Sequence, residues 1–205
     1  RALKNSFATT ILQTFVALAV SSIAGYGFEI YHDKAKDTVM SILMLAMMVP
    51  FVAVLVPLFQ MFTKAKLLNS WTGFILPSIA TPFLIMYFRN SARSFPRDTL
   101  EAARIDGLNE FQIFIRMFIP MMKPTYASAA TITFMGAWNA YLWPKVIMQT
   151  NEAITMPMLV ANLKSGYSVD YGMLMLGVLI CTLPTAIIFL CLQKSFANGI
   201  TGAVK

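Results

Sequence analysis

Residues that carry chemistry are scarce in this chain of 205, which holds one histidine, two cysteines and nine acidic side chains. His32, beside Asp33 in a polar connection, has no cysteine nearby to share a metal and offers little for acid–base catalysis alone. Cys181 and Cys191 are ten positions apart on what reads as one helix. That is about 15 Å of axial rise, too far for an internal disulfide. No H-E-x-x-H, G-x-S-x-G or Walker sequence occurs, so a metalloprotease, a serine hydrolase and an ATPase have no motif to rest on. No catalytic, cofactor or metal site is expected within the chain, and ATP hydrolysis, if coupled to it, belongs to another chain.

Charge is also sparse. Charged residues make up 12% of the chain and hydrophobic ones 58%, against about 45 to 50% in soluble domains even with glycine counted. Mean hydropathy is +0.66. The 16 basic residues give a net charge of +7, but they lie mostly in short connections between apolar runs. That placement fits membrane orientation rather than a nucleic-acid surface, so the partner is the lipid bilayer and no nucleic acid is expected.

A helix needs roughly 20 apolar residues to cross the hydrocarbon core with its backbone satisfied internally. Five runs qualify, at about 7–30, 38–62, 71–88, 125–143 and 171–192. Pro50 and Pro57 in the second, and Pro77 and Pro82 in the third, remove donors and should bend those helices. An odd number of spans places the two termini on opposite sides. One side then carries Arg1, Lys4, Lys64, Lys66, Lys145 and Lys164; the other carries the remaining ten basic residues, among them Arg89, Arg93, Arg97, Arg104, Arg116 and Lys123. The richer side is cytoplasmic by the positive-inside rule. The segment at about 89–123 and the tail 193–205 are therefore expected to face the cytoplasm.

That long segment has internal structure. Pro96 or Asp98 can open a helix with acidic residues in its first turns, Ala102 and Ala103 favour it, and Gly107 is placed to close it in a left-handed cap. A second helix starts near Asn109 and runs to Pro120, too apolar for a free loop and too interrupted by Gln112 and Arg116 for a span. Two short helices joined at a glycine form a small rigid knob suited to docking in a partner's groove.

Glu101, Ala102 and Ala103, three residues, Gly107, nine residues, then Met117, Ile119 and Pro120 resemble the EAA loop of binding-protein-dependent ABC importer permeases. That pattern has Ile and Leu where this chain has Met117 and Ile119, apolar exchanges of similar volume. The closing residues Gln193, Lys194, Phe196, Gly199, Gly202, Ala203, Val204 and Lys205, and the run from Ala137 to Pro144, are similar to sugar-importer permeases of the maltose-transporter type. The resemblance extends from Asn5 to Lys205. It implies an all-α membrane protein with the type I importer permease fold, a single transmembrane domain over residues 1–205, and a sixth helix expected ahead of Arg1. It implies a bacterial inner-membrane location, cytoplasmic ATP-binding subunits that carry ATP and Mg, a second permease subunit forming a heterodimer, and an extracytoplasmic solute-binding protein. Glu101, Ala102, Ala103, Gly107, Ile119 and Pro120 would then dock the ATPase, with Glu101 paired to one of its basic residues. The connection from Pro144 to Asp170 would meet the binding protein.

Substrate contacts are harder to read. Trp138 and Tyr141 are able to stack on sugar faces with Asn139 supplying hydrogen bonds, while aromatics at a span's end, Trp143 above all, also serve as interface anchors. A sugar or oligosaccharide is the expected cargo, with a glycerol-phosphate-like or other small polar solute as the alternative. A secondary transporter would carry intramembrane carboxylates for ion coupling. Here Glu29 is the only acid within an expected span.

Overall fold

The computed structural model describes residues 1–164 and 169–202, with side chains as far as Cys191 and at Gln193. All regular structure among the described residues is helical: α1 (Ala2–Ile30), α2 (Lys34–Ala46), α3 (Phe51–Lys64), α4 (Trp71–Ile75), α5 (Pro82–Ala92), α6 (Arg97–Ile105), α7 (Glu110–Ile113), α8 (Ile119–Met121), α9 (Lys123–Trp138), α10 (Leu142–Ile147), α11 (Met156–Lys164) and α12 (Tyr171–Gly202). A 3-10 turn at Leu76–Ser78 follows α4, and a π-helical stretch at Phe114–Phe118 joins α7 to α8.

Helices α1 and α12 are each long and apolar enough to cross a membrane. The second expected run is divided between α2 and α3, with Pro50 in the position before α3. The third is divided between α4 and α5, where the 3-10 turn contains Pro77 and Pro82 opens α5. Each of these pairs is long and apolar enough when taken together. Proline has no N–H to continue the ladder, so these residues break the helices rather than merely bending them. Of these four prolines, Pro57 sits in a helix interior. The fourth run ends early, at Trp138, because the Asn139 amide donates to the Met135 carbonyl at 2.9 Å and closes the last turn. Helix α12 continues beyond 192 to Gly202; the motif side chains from Lys194 onward lie outside the described residues.

The chain forms two compact units. One contains Ala17–Met48, Ala80–Thr131 and the chain from Leu192 on. Its core is aromatic: Tyr26 lies 4.9 Å from Phe118 and 5.3 Å from Phe114, both near edge-on, and Phe95 lies 5.6 Å from Phe118. Leu100 and Ala103 of α6 close the same cluster. Against this core Gly25 lets α1 approach α5 at backbone distance, since a Cβ there would sit 2.6 Å from the Phe88 Cβ and 2.7 Å from the Arg89 nitrogen. Beside that contact Arg89, only 7% exposed, gives Nε to Glu29 at 3.3 Å and an NH2 proton to Asp37 at 2.5 Å, and Arg93 reaches the same Glu29 oxygen at 3.3 Å. Glu29, the lone acid of the expected spans, is thus neutralised by two arginines from α5 and its end. His32 pairs with Asp37 at 2.9 Å, while the Asp33 side chain accepts from the Lys36 N–H and caps α2.

The other unit contains Arg1–Val16, Val49–Ile79 and Ile132–Cys191. Its centre is Trp143, packed edge-on against Phe62 at 5.1 Å with Phe74, Ile147 and Met158 around it. The Trp143 indole donates to the carbonyls of Gly73 and Phe74 at 3.1 and 3.2 Å. Gly73 is the residue whose carbonyl would have accepted from position 77, where Pro77 has no proton to give. Trp143 is buried, which corrects the expectation of an interface anchor: its indole supplies the donor that the proline removes.

Gly25→Ala should lower stability by about 1–3 kcal/mol through overpacking. Gly27→Ala, where a Cβ meets nothing within 4 Å, should not. Thermal unfolding of the two detergent-solubilised variants measures the difference, and equal midpoints would contradict the close α1–α5 contact.

Candidate functional site

The expected knob forms within the first unit. Pro96 precedes α6 in extended conformation, and Asp98 lies in the first turn. At the other end Gly107 adopts φ +79°. Its N–H reaches the Arg104 carbonyl at 3.1 Å and the Leu108 N–H reaches Ala103 at 3.0 Å. This is the paired closure of a Schellman motif, which needs a left-handed residue where glycine has least strain. Two residues on, Asn109 and Gln112 form a reciprocal capping box: the Asn109 side chain accepts from the Gln112 N–H at 2.9 Å, and the Gln112 side chain accepts from the Asn109 N–H at 3.0 Å. Both helix ends at the joint are therefore satisfied without a partner, and the joint is stiff.

Across the joint Arg104 Nε donates to Glu110 at 2.8 Å. Burial pushes the Glu110 carboxyl up, but hydrogen bonds from Tyr31 and Arg104 outweigh it and hold the group below its ordinary value. The same bond to Glu110 raises Arg104. The two helices are locked by charge as well as by backbone.

The motif residues divide by face. Ala103 is 1% exposed and belongs to the aromatic core, whereas Glu101 and Ala102 point outward. Among the described residues Glu101 and Arg97 have no ion-pair partner. They line a pocket of about 400 Å³ with Glu29, Arg93, Phe95 and Arg104. Ile119 packs partly buried on the aromatic core, and Pro120 is exposed. Two residues outside the motif stand out: Ile105 is 86% exposed and Phe111 67% exposed, on either side of Gly107. The signal for Ile105 was present in the sequence, since at 100° per residue it lies about 140° from Leu100, off the face that meets the core.

The candidate solute-contact residues lie in the second unit. Asn139 and Tyr141 line a pocket of about 530 Å³ with Val160, Lys164, Val178 and Thr182. Trp138 is enclosed instead. It is 1% exposed, stacked on Phe134 at 5.9 Å, edge-on to Phe7 at 4.8 Å, and its indole donates to the Cys181 carbonyl at 2.8 Å. Its ring faces are occupied, and it ties α9 to α12 beneath Asn139.

Residues 17–202 match the family described as binding-protein-dependent transport system inner membrane component. The lactose transport system permease protein LacG of Rhizobium radiobacter is 43% identical over 201 residues, covering 98% of this chain and 74% of that protein. The arabinooligosaccharides transport system permease protein AraQ of Bacillus subtilis is 38% identical over 202 residues, 98% of this chain and 72% of that one. Among solved structures, a bacterial ABC transporter involved in the import of the acidic polysaccharide alginate contains a similar fold, with a TM-score of 0.79 at 23% identity over 96% of this chain and 76% of the other.

The Arg104–Glu110 lock has a pH signature. Because the folded Glu110 carboxyl titrates below its ordinary 4.5, its stabilising contribution is complete above that pH and is lost as the pH falls through the lower folded value. Glu110→Gln should loosen the knob by about 0.5–1 kcal/mol near neutrality, a modest figure because the pair is partly exposed. Amide exchange at Leu108 and Asn109 should be faster in the variant at neutral pH and converge with the parent on acidification. A difference that persists at low pH would exclude the carboxylate as its cause.

Proposed function

The chain belongs to the family of binding-protein-dependent transport system inner membrane components, and from that premise we propose that it imports a sugar or oligosaccharide, driven by ATP hydrolysis in partner subunits. Its relatives named for lactose and arabinooligosaccharides support the sugar reading. The observation that carries the coupling mechanism is the stiff knob with an apolar tip, Ile105 and Phe111, and an exposed carboxylate on its outer face, Glu101, that has no ion-pair partner among the described residues. Large apolar side chains exposed in this way favour burial in a partner's pocket, and a carboxylate entering the same interface requires a basic group opposite it.

Glu101, Ala102, Ile105, Gly107 and Phe111, with Pro120, form the surface offered to a cytoplasmic ATP-binding subunit that carries ATP and Mg. Ala103 and Ile119 shape the knob from within. Closure of two such subunits would move the knob, and the path from α7 through the π-helical stretch and α8 into α9, broken only by a turn at Met122, would carry that motion into the membrane. A second permease subunit completes the pair, with a heterodimer the arrangement we favour. Asn139 and Tyr141 lie along the solute path, with Trp138 holding them from behind. The knob and the C-terminus face the cytoplasm. Support for this sidedness comes from pairing within each unit. Residues 29–37 and 89–93, assigned to the inner side by charge, are ion-paired with one another. Residues 1–6, 69 and 147–156, assigned to the outer side, are hydrogen-bonded together.

Ile105→Asp and Glu101→Ala should each weaken ATPase docking by about 2 kcal/mol or more, roughly thirtyfold, while the permease still inserts. Gly107→Pro should do the same by forbidding the left-handed joint. Co-purification of the ATP-binding subunits and solute-stimulated hydrolysis are the readouts. Hydrolysis that stays at the parent level in all three variants would remove the knob from the mechanism.

A further inference from the structure

Three arginines line the cavity of about 400 Å³ beside the knob. Arg93 caps the end of α5, Arg97 is the first residue of α6, and Arg104 lies in the last turn of α6. Two of them are engaged. Arg93 shares Glu29 with Arg89, and Arg104 holds Glu110 across the joint. Arg97 is different. It is exposed and stands four residues before Glu101 on α6, the spacing of a helical ion pair, yet no ion pair joins the two among the described residues. The lining also sets the depth of the cavity. Glu29 and Ile30 are the last residues of α1, a helix long and apolar enough to cross a membrane, and Ala92 is the last residue of α5. All three line the cavity, with Phe95 and Leu100. A cavity built on the ends of such helices, with apolar and cationic side chains together, belongs at the level of the lipid headgroups.

The planar guanidinium fork matches the oxygens of a phosphate, and at headgroup depth the abundant anion is the phosphate of an anionic lipid. Glu29 and Glu101 also line the cavity and oppose an anion. Arg89 and Arg93 already compensate Glu29, and His32, the other titratable group of the lining, is paired with Asp37. The opposition of Glu101 ends when the knob docks, because the basic group required opposite it neutralises its carboxylate. Arg97 then has no carboxylate to answer it. We propose that the cavity at Arg93 and Arg97 binds the phosphate of an anionic phospholipid of the cytoplasmic leaflet, and that headgroup and ATP-binding subunit strengthen each other's binding through Glu101. Linkage makes the effect reciprocal: a subunit that tightens lipid binding is itself held more tightly by the lipid. An acidic side chain of the subunit offers the same chemistry to Arg97, but the helix ends in the lining place the lipid nearer. The inference rests on the importer reading and on the cytoplasmic orientation proposed with it.

The ATP-binding subunits are titrated onto the permease pair in vesicles of phosphatidylcholine alone and in vesicles with about one quarter phosphatidylglycerol. The parent should dock about fivefold more tightly in the anionic vesicles. Arg97→Gln, and Arg93→Gln, which leaves Glu29 to Arg89, should cut that gain to within about twofold. Lys123→Gln, an exposed basic residue outside the cavity lining, should keep the whole gain and so separates the cavity from general attraction to a charged surface. Without ATP-binding subunits, the two arginine variants should retain less phosphatidylglycerol than the parent in native mass spectrometry, a readout that serves for a variant that docks in neither membrane. Inorganic phosphate added to the phosphatidylcholine vesicles should give no gain; a gain equal to that of phosphatidylglycerol would overturn the lipid as its source. The inference is also overturned if the parent docks equally in both membranes, if the arginine variants retain as much lipid as the parent, or if Lys123→Gln loses as much of the gain as they do. Arginine variants that dock more weakly by one factor in both membranes would assign the cavity to an acidic side chain of the subunit and overturn it too. A parent that docks in neither membrane would instead defeat the importer reading, and the inference with it.

Discussion

Lipid accepts no hydrogen bonds, and most of this fold follows from that. Every peptide group at depth must find a partner in the protein, so all regular structure among the described residues is helical and each interruption needs a named substitute. At Pro77 the substitute is the Trp143 indole, which reaches Gly73 from another helix. Before α4 it is Ser70, whose hydroxyl oxygen accepts from the Gly73 N–H at 3.0 Å and whose proton goes to Leu67 at 2.7 Å. At the start of α2 it is Asp33, and at the start of α7 it is Asn109. The hydroxyls of Thr9, Thr131 and Thr182 donate back to carbonyls one turn earlier, which lets them lie in apolar helices without an unmet proton.

Charge obeys the same rule at the helix ends. A lone carboxylate near the end of a spanning helix would be costly, and Glu29 becomes tolerable because Arg89 and Arg93 converge on it. The buried arginine in turn needs more than one partner, and Asp37 provides the second. This cluster ties α1, α2 and α5 together just below the knob. Arg89 is the member that the cluster turns on, since its loss would break the contacts to both Glu29 and Asp37, whereas loss of Arg93 would still leave Glu29 with Arg89.

What was legible in the sequence was local. The left-handed closure at Gly107 and the start of the next helix at Asn109 follow from turn and cap chemistry within a few residues, and both appear as read. The long apolar runs are visible for the same reason. What was not legible depends on residues far apart in sequence. Glu29 reads as an isolated acid until Arg89 is seen 60 positions on. Trp143 reads as an interface anchor until Gly73 is found 70 positions before it. The helix breaks at Pro50 and between α4 and α5 were anticipated only as bends, because a sequence gives the missing donor but not whether a neighbour can replace it.

The two alanines of the motif illustrate the same limit from the other side. Adjacent in sequence and identical in chemistry, they are separated by about 100° on a helix, enough to place Ala103 in the aromatic core and Ala102 on the open face. A larger residue at 103 would collide with the core cluster that includes Leu100, Phe114 and Phe118; one at 102 would project from the exposed face. Packing therefore demands a small side chain at 103, while 102 lies on the exposed face of the same helix. Ile105 is 86% exposed and free of the core packing that restricts position 103, whereas Gly107 at φ +79° holds a conformation in which glycine has least strain. The spaced pattern thus includes positions that geometry restricts, Ala103 by packing and Gly107 by its backbone, while the exposed apolar side chains of Ile105 and Phe111 fall between its fixed residues.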